Sequence, residues 1–477
     1  MSPTIGASRV ATLVDGFDRS PAYAGLADAL TLLIGDGRIG VGLRLPSERE
    51  LTEALGVSRT TVTRAYAALR EAGYAEARQG AGTFTRVPGG RSRAHDRALL
   101  PRAGDGDAID LNCAAPSAPP GIAHAYAEAA GDLPAYLGGH GYFPAGLPEL
   151  QAAVAATYDA RGLPTSPEQI MITPGALTAG AIVAQAFTSP GDRVLVESPT
   201  YPNATDALRH AGARLVPSPV DPDGWDLDAV AATLRQSAPR LAYLIPDFQN
   251  PTGHLMTAGQ REEYAAALRR TRTVAIVDEA HASLALEGQE MPRPFACFAP
   301  DTITVGSASK SFWGGLRLGW IRAPREQMER LTQARVSLDL GAPVLEQLVL
   351  ARLLADASAI LAANRERLRE QRDALATAVA ASLPDWGFHL PTGGLALWCR
   401  LPGTHGTALA AEAERRGVII APGPVFAAEG GLDTFVRIPW TRPVDELTEA
   451  VRRIADAWAV VRERPTSTGR PNRVMVA

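Results

Sequence analysis

One lysine stands in this chain of 477 residues, at position 310. Lysine and arginine together number 47, so 46 of these basic residues are arginine. Arginine replaces lysine in ion pairs and phosphate contacts, but its guanidinium stays protonated and forms no imine. A desolvated lysine amine does form one with an aldehyde. The competing reading is a surface lysine left over in an arginine-rich composition. Two polar residues bear on the choice. Asn250 lies 28 residues before Asp278, and Asp278 lies 32 before Lys310. Each follows a β-type run, at 241–246, 274–277 and 302–305. Steps of about 30 residues suit successive strand–helix–strand units. Side chains at the carboxyl ends of neighbouring parallel strands converge on one crevice.

The three residue types fit one chemistry there. Lys310 would anchor an aldehyde as an internal imine. Asp278 would pair with a pyridinium nitrogen and keep the ring an electron sink, and Asn250 would donate to a phenolic oxygen. That set describes a site for pyridoxal 5'-phosphate. An Asp at a strand end, taken alone, is more often a helix cap. Donors for a phosphate are also present. The stretch Pro174-Gly-Ala-Leu177 lies between a strand and a helix, so its backbone N–H groups would point at an anion. Ser307, Ser309 and Arg317 flank the lysine, and Arg317 can grip phosphate with two parallel hydrogen bonds. Tyr201, in ESPTY, can stack on a pyridine ring; an aromatic residue there can equally be core.

The elements that must position these residues follow from the pattern. From residue 109 to about 462, short β-type runs alternate with helical stretches. Candidate strands are 169–173, 193–197, 241–246, 274–277 and 302–305. This predicts an α/β domain with a mostly parallel central sheet and helices on both faces. Residues 343–382 read as long helix. Residues 387–401 and 434–439 read as strands of a smaller C-terminal α/β domain. The expected organisation is an N-terminal domain over 1–86, a flexible linker over 87–108, the large domain over 109–463 and a disordered tail over 464–477. The linker is rich in Gly, Pro, Arg and Asp, and about 22 residues reach at most ~70 Å. Its four Arg against three Asp can touch DNA or remain solvated charge.

The N-terminal stretch has its own logic. In LPSERELTEALG, Ser47 caps a helix and Glu50 reaches back three residues later. Gly56 ends that helix, Ser58 caps the next over 59–72, and Gly73 stops it. Val62, Ala65, Tyr66 and Leu69 fall at helical spacing and face a core. Arg59, Thr60, Thr61, Thr63 and Arg64 crowd the opposite face, as a major-groove reader requires. Residues 74–85 then read as a β-ribbon whose glycines can approach a phosphate backbone. Charge alone leaves a protein-docking module open, since 44–86 hold seven Arg against five Glu.

Bulk properties bound the rest. Net charge is −4 with a pI near 6.1, so the whole molecule is no obvious polyanion binder, although an acidic body can mask a small basic module. Three widely spaced cysteines make neither a disulfide framework nor a zinc pattern and fit a reducing cytoplasm. No metal site is expected. No signal peptide or membrane-spanning run is read.

Three resemblances follow from these motifs. The phrases LPSERELTEALGVSRTTVTRAY and GAGTF resemble the GntR-type winged helix-turn-helix. The resemblance implies DNA contacts at Arg49, Ser58, Arg59, Thr60, Thr61, Arg64 and Gly82. The segments GYFPAGLPEL, ITPGA, PGDRVLVESPTY, DFQNPTG, VDEA, SASKSF with GLRLGW, and FVRIPW resemble the fold-type I, pyridoxal phosphate-dependent aminotransferases, in their order, over about 110–460. That resemblance implies cofactor contacts from Lys310, Asp278, Asn250, Tyr201, Ala176, Leu177, Ser307, Ser309 and Arg317. It further implies that Tyr142 reaches the cofactor of the second subunit of a homodimer, and that Arg437 grips an amino acid carboxylate. One departure stands out: that group usually has Tyr three residues after the Asp, and here the residue is His281. A histidine can donate to the phenolic oxygen and titrates near neutral pH, or it can turn away and leave a water in its place. The whole order resembles the MocR/GabR-type transcription regulators. It implies a DNA-binding regulator responsive to an amino compound or to pyridoxal phosphate. The alternative is a working aminotransferase with an accessory DNA-binding arm.

Overall fold

The computed structural model describes residues 4–78, 80–88 and 108–463 of the chain. The expected linker, apart from 87, 88 and 108, and the expected tail lie outside the described residues. The described residues fall into two compact units. The first holds the residues up to 88 together with Pro119–Gly131. The second holds 108–118 and the residues from Asp132 onwards.

In the first unit, helices Ala7–Leu13, Ala22–Gly35, Glu48–Leu55 and Arg59–Glu71 enclose an apolar core of Val10, Leu26, Leu30, Leu51, Val62 and Leu69. The capping box forms as the sequence requires. Ser47 Oγ accepts from the Glu50 amide at 3.3 Å, and the Glu50 carboxylate accepts from the Ser47 amide at 2.8 Å. Gly56 turns left-handed at φ +62°, and Ser58 Oγ accepts from the Thr61 amide at 3.1 Å to start the next helix. The antiparallel ribbon Ala75–Arg78 and Gly82–Thr85 follows, with Arg78 opposite Gly82. Pro119–Gly131 joins this unit through Asp36. Its buried carboxylate Oδ1 accepts from the amides of Gly121 at 2.8 Å and Ala123 at 3.0 Å. Those donors sit at the start of helix Ile122–Asp132, where amides lack intrahelical partners.

The second unit is built on an eight-stranded mixed sheet. In spatial order its strands are Ile170–Thr173, Gly319–Arg322, Ile303–Ser307, Val274–Asp278, Leu241–Leu244, Arg193–Ser198, Arg214–Asp221 and Gly224–Trp225. The five from Ile303–Ser307 to Arg214–Asp221 pair in parallel, whereas Gly319–Arg322 runs against both its neighbours. Both faces are covered, which explains why the central strands read as unbroken apolar runs. Val194, Val196, Tyr243 and Ile276 pack into one layer of core, and Leu195, Ala242, Leu244 and Val277 into the other. Five of these strands were legible as β-type runs. Gly319–Arg322, which begins at a glycine, Arg214–Asp221, which two prolines interrupt, and the two-residue Gly224–Trp225 were not.

The smaller C-terminal part is a four-stranded sheet of Gly387–Phe388, Ala396–Arg400, Phe435–Pro439 and Ala421–Pro422, packed against helices Ala357–Ser382, Gly406–Arg415 and Val444–Val461. Two expectations are corrected here. The run 387–401 is two strands, because Pro391, Gly393 and Gly394 interrupt it. The long helix over 343–382 is two helices, Val344–Ala355 and Ala357–Ser382, since Asp356 leaves helical geometry at φ −119°, ψ 34°. No helix among the described residues is long and apolar enough to cross a membrane.

Candidate cofactor site and nucleic-acid face

Three strand ends place the polar residues in one cavity of about 340 Å³. Asp278 closes strand Val274–Asp278 and lies opposite Val305 of the neighbouring strand. Lys310 follows that strand by three residues, and Asn250 follows Leu241–Leu244 by six. All three line the cavity, as do Tyr201 and His281. Lys310 Nζ donates to the Ala114 carbonyl at 3.0 Å. Burial pushes its ammonium below the usual lysine range, which favours the free amine that attacks aldehydes.

Asp278 is held from two sides. Its Oδ2 accepts from the Tyr243 hydroxyl at 2.7 Å and its Oδ1 from the Ala280 amide at 2.8 Å. Burial nonetheless raises its pKa, so a cation brought beside it would be bound strongly. A protonated pyridine nitrogen is such a cation. At the other end of the cavity, helix Ala176–Phe187 begins after Gly175, at φ +92°, with no side chain capping its first amides. Ala176, Leu177, Ser307, Ser309 and Arg317 gather there. The approach is tight: a Cβ on Gly175 would meet Arg317 Nη2 at 3.2 Å, and one on Gly319 would meet the Ala176 nitrogen at 2.6 Å. Uncapped amides, two hydroxyls and a guanidinium make a phosphate seat. The donor set therefore fits pyridoxal phosphate.

Other site residues lie as follows. Tyr201 lines the cavity, with its hydroxyl accepting from Asn203 at 2.8 Å. Arg437 is fully buried and does not form the cavity wall; it stands behind Asn250, donating from Nη1 to Asn250 Oδ1 at 3.2 Å and from Nη2 to the Asn112 carbonyl. Its Nε has no partner among the described residues, and burial lowers its pKa to about 10. Tyr142 is 58% exposed and away from the cavity. His281 differs most from expectation. Its Nδ1 lies 3.0 Å from the Phe248 carbonyl, and burial lowers its pKa to about 4, so it does not titrate near neutrality.

Four residues of the site carried no signal in the sequence. Tyr243 looks like strand filler, and Cys113, Ala114 and Ala115 line the cavity from a distant part of the chain.

On the N-terminal unit, Arg49 on helix Glu48–Leu55, Ser58, Arg59, Thr60 and Arg64 at the start of helix Arg59–Glu71, and Gly82 at the ribbon tip are exposed, and Thr61 is half-buried. Arg49 pairs with Glu53 at 3.2 Å, and the Arg64 guanidinium lies 3.6 Å over the Tyr23 ring. Arg44, missed in the sequence, lies beside the tip: a Cβ on Gly82 (φ +108°) would meet its Nε at 2.9 Å.

Comparison with known proteins agrees with this geometry. The family model described as aminotransferase class I and II matches residues 117–454. The model described as bacterial regulatory proteins, gntR family, matches 22–85. The chain is 29% identical over 427 residues to the uncharacterized HTH-type transcriptional regulator YisV of Bacillus subtilis, covering 82% of this chain and 87% of that one. It is 30% identical to the probable rhizopine catabolism regulatory protein MocR of Rhizobium meliloti, covering 64% and 66%. Among solved structures it resembles LysN, an alpha-aminoadipate aminotransferase from Thermus thermophilus, with a TM-score of 0.69, 30% identity, and coverage of 74% of this chain and 93% of that one.

Proposed function

We propose, for a chain that belongs to the aminotransferase class I and II family and carries a gntR-family DNA-binding unit ahead of it, the work of a MocR-type transcription regulator. Its aminotransferase-like body senses a small amino compound, or pyridoxal phosphate itself. The observation that carries this reading is the single lysine amine at the polar end of a cavity, in the same chain as a capped helix that exposes Arg59, Thr60 and Arg64.

When bound, pyridoxal phosphate supplies an aldehyde that captures a primary amine and a ring that withdraws electrons. Lys310 is the resident amine. Asp278 would pair with the ring nitrogen, and Tyr201 would stack on the ring. Asn250 offers its amide N–H, because its Oδ1 is taken by Arg437. Ala176, Leu177, Ser307, Ser309 and Arg317 would hold the phosphate. An effector amine competing with Lys310 for that aldehyde would rely on Arg437 for its carboxylate; this residue stands behind Asn250, and its Nε has no partner among the described residues. That exchange alters DNA binding only if the effector favours one arrangement of the protein over another. Arg49, Ser58, Arg59, Thr60, Thr61, Arg64 and Gly82 contact the DNA. A second copy of the chain covers the exposed apolar residues Leu137, Leu177, Val336, Leu338 and Leu340, and Tyr142 among them reaches the second cofactor. A protein with this task works in the cytoplasm, where promoter DNA is.

The test is binding of the purified protein to the DNA upstream of its own gene, with and without pyridoxal phosphate and a panel of amines. The expected result is a severalfold change in DNA affinity on addition of one of them. Sustained amino transfer to a keto acid, with DNA affinity unchanged, would replace the regulator with an enzyme.

A further inference from the structure

His281 is buried, and the only side-chain hydrogen bond it makes among the described residues runs from Nδ1 to the Phe248 carbonyl, at 3.0 Å. A carbonyl only accepts, so Nδ1 carries the proton. The imidazole is neutral, since burial first and the Arg437 guanidinium nearby disfavour its charged form. Nε2 therefore carries a lone pair with no hydrogen-bond partner among the described residues, on a side chain that lines the cavity with Lys310 and Asn250.

The substituents of the pyridine ring narrow what meets that lone pair. The ring nitrogen belongs with Asp278, the aldehyde carbon with Lys310, and the phosphate arm with the uncapped helix and Arg317. The 3-hydroxyl sits beside the aldehyde, on the side away from the phosphate arm. The cavity's remaining polar side chains include Asn250 and His281. Asn250 Oδ1 is engaged by Arg437, so Asn250 presents an N–H donor. An ionised phenolic oxygen would satisfy Asn250 but would set its lone pairs against those of Nε2. A protonated hydroxyl accepts from Asn250 and donates to His281, leaving no buried group unpaired.

Resting on the cofactor site described above, we propose that His281 is a hydrogen-bond acceptor that keeps the coenzyme's 3-hydroxyl protonated, a positioning role in which the proton stays on oxygen and the imidazole stays neutral. The bound coenzyme then absorbs chiefly in the near-ultraviolet band of its neutral hydroxyl form, with the visible band of the ionised-oxygen form in the minority.

Absorbance spectra of the holoprotein test this, compared among wild type, His281→Phe and His281→Tyr. Loss of one hydrogen bond should raise the visible-to-near-ultraviolet ratio by about fivefold in His281→Phe. His281→Tyr, which brings an O–H donor, should raise it further. In the wild type the ratio should stay constant from about pH 6 to 8. Nitrogen NMR of histidine-labelled apoprotein supplies a second readout, in which a protonated Nδ1 and a bare Nε2 are expected. A protonated Nε2, or a band ratio unchanged by both substitutions, overturns the inference while leaving the cofactor site intact. Failure of the wild type to take up pyridoxal phosphate at all would remove the cofactor site and this inference together.

Discussion

The Tyr243 hydroxyl donates to Asp278 Oδ2 at 2.7 Å, across two parallel strands. Tyr243 is buried in the apolar layer of the sheet, and burial raises its pKa well above the usual tyrosine range, so it remains a donor at every working pH. It fixes the carboxylate proposed above to pair with the ring nitrogen. Removing that hydrogen bond in Tyr243→Phe should cost about 1.4 kcal/mol and weaken pyridoxal phosphate binding roughly tenfold. Absorbance titration with the coenzyme measures it, and unchanged affinity would show that Asp278 needs no such support.

Asp36 holds the start of helix Ile122–Asp132 through two backbone amides, while Arg38 pairs with its other oxygen at 2.9 Å. In Asp36→Ala those amides lose a buried charged acceptor. The expected loss is about 1–3 kcal/mol, read as a lower unfolding midpoint in denaturant. An unaltered midpoint would mean that Pro119–Gly131 adds nothing to the first unit.

His281 sets part of the acid sensitivity. Its unfolded value lies near 6.5 and its folded value near 4, so the folded state binds the proton less readily. The stability it contributes is present above about pH 6.5 and is lost as pH falls toward 4, by at most about 3 kcal/mol. Lys310 and Arg437 reinforce the depression, and Asp247 and the Phe248 carbonyl oppose it. His281→Phe should flatten the stability profile between those pH values. A profile parallel to that of the wild type would place the imidazole in contact with water.

Arg261 and Asp247, the latter three residues before Asn250, form a fully buried ion pair at 2.6 Å. Replacing Arg261 leaves Asp247 to the more distant Arg161. Arg261→Met is expected to destabilise the second unit by about 3–5 kcal/mol. Chemical denaturation of the full chain checks this, and a loss well below that range would assign Asp247 to Arg161, which lies 3.9 Å away.

Arg49, one of the arginines proposed to touch DNA, is exposed, with 87% of its side chain open to solvent, and pairs with Glu53. Arg49→Ala should weaken binding to all sequences alike and reduce the slope of affinity against salt by about one. A change confined to one base position would make it a base reader instead.

Much of the site could be read from the chain because chemistry and periodicity coincide there. Lys310, Asp278 and Asn250 each follow an apolar run, and apolar runs buried on both faces become the central strands. The capping box at Ser47 and the turn at Gly56 are local, so they appear in the structure as the sequence spells them. Tyr243 was illegible because an aromatic residue in a strand reads as core. Only the register beside Val274–Asp278 turns its hydroxyl to Asp278. Arg437 was legible as a motif but not as a position, since its place behind Asn250 depends on how the smaller sheet packs.

The sequence by itself determined the reactive group, for only one side chain carries a primary amine, and it determined the capped helices, whose signals lie within four residues of one another. Tertiary structure alone decided the protonation and direction of that chemistry. Burial and long-range partners act through space: the Phe248 carbonyl orients His281 across 33 residues of chain, and Asp36 reaches Gly121 across 85. No pattern along the chain encodes such distances, because they exist only once the core has excluded water and brought the strands together.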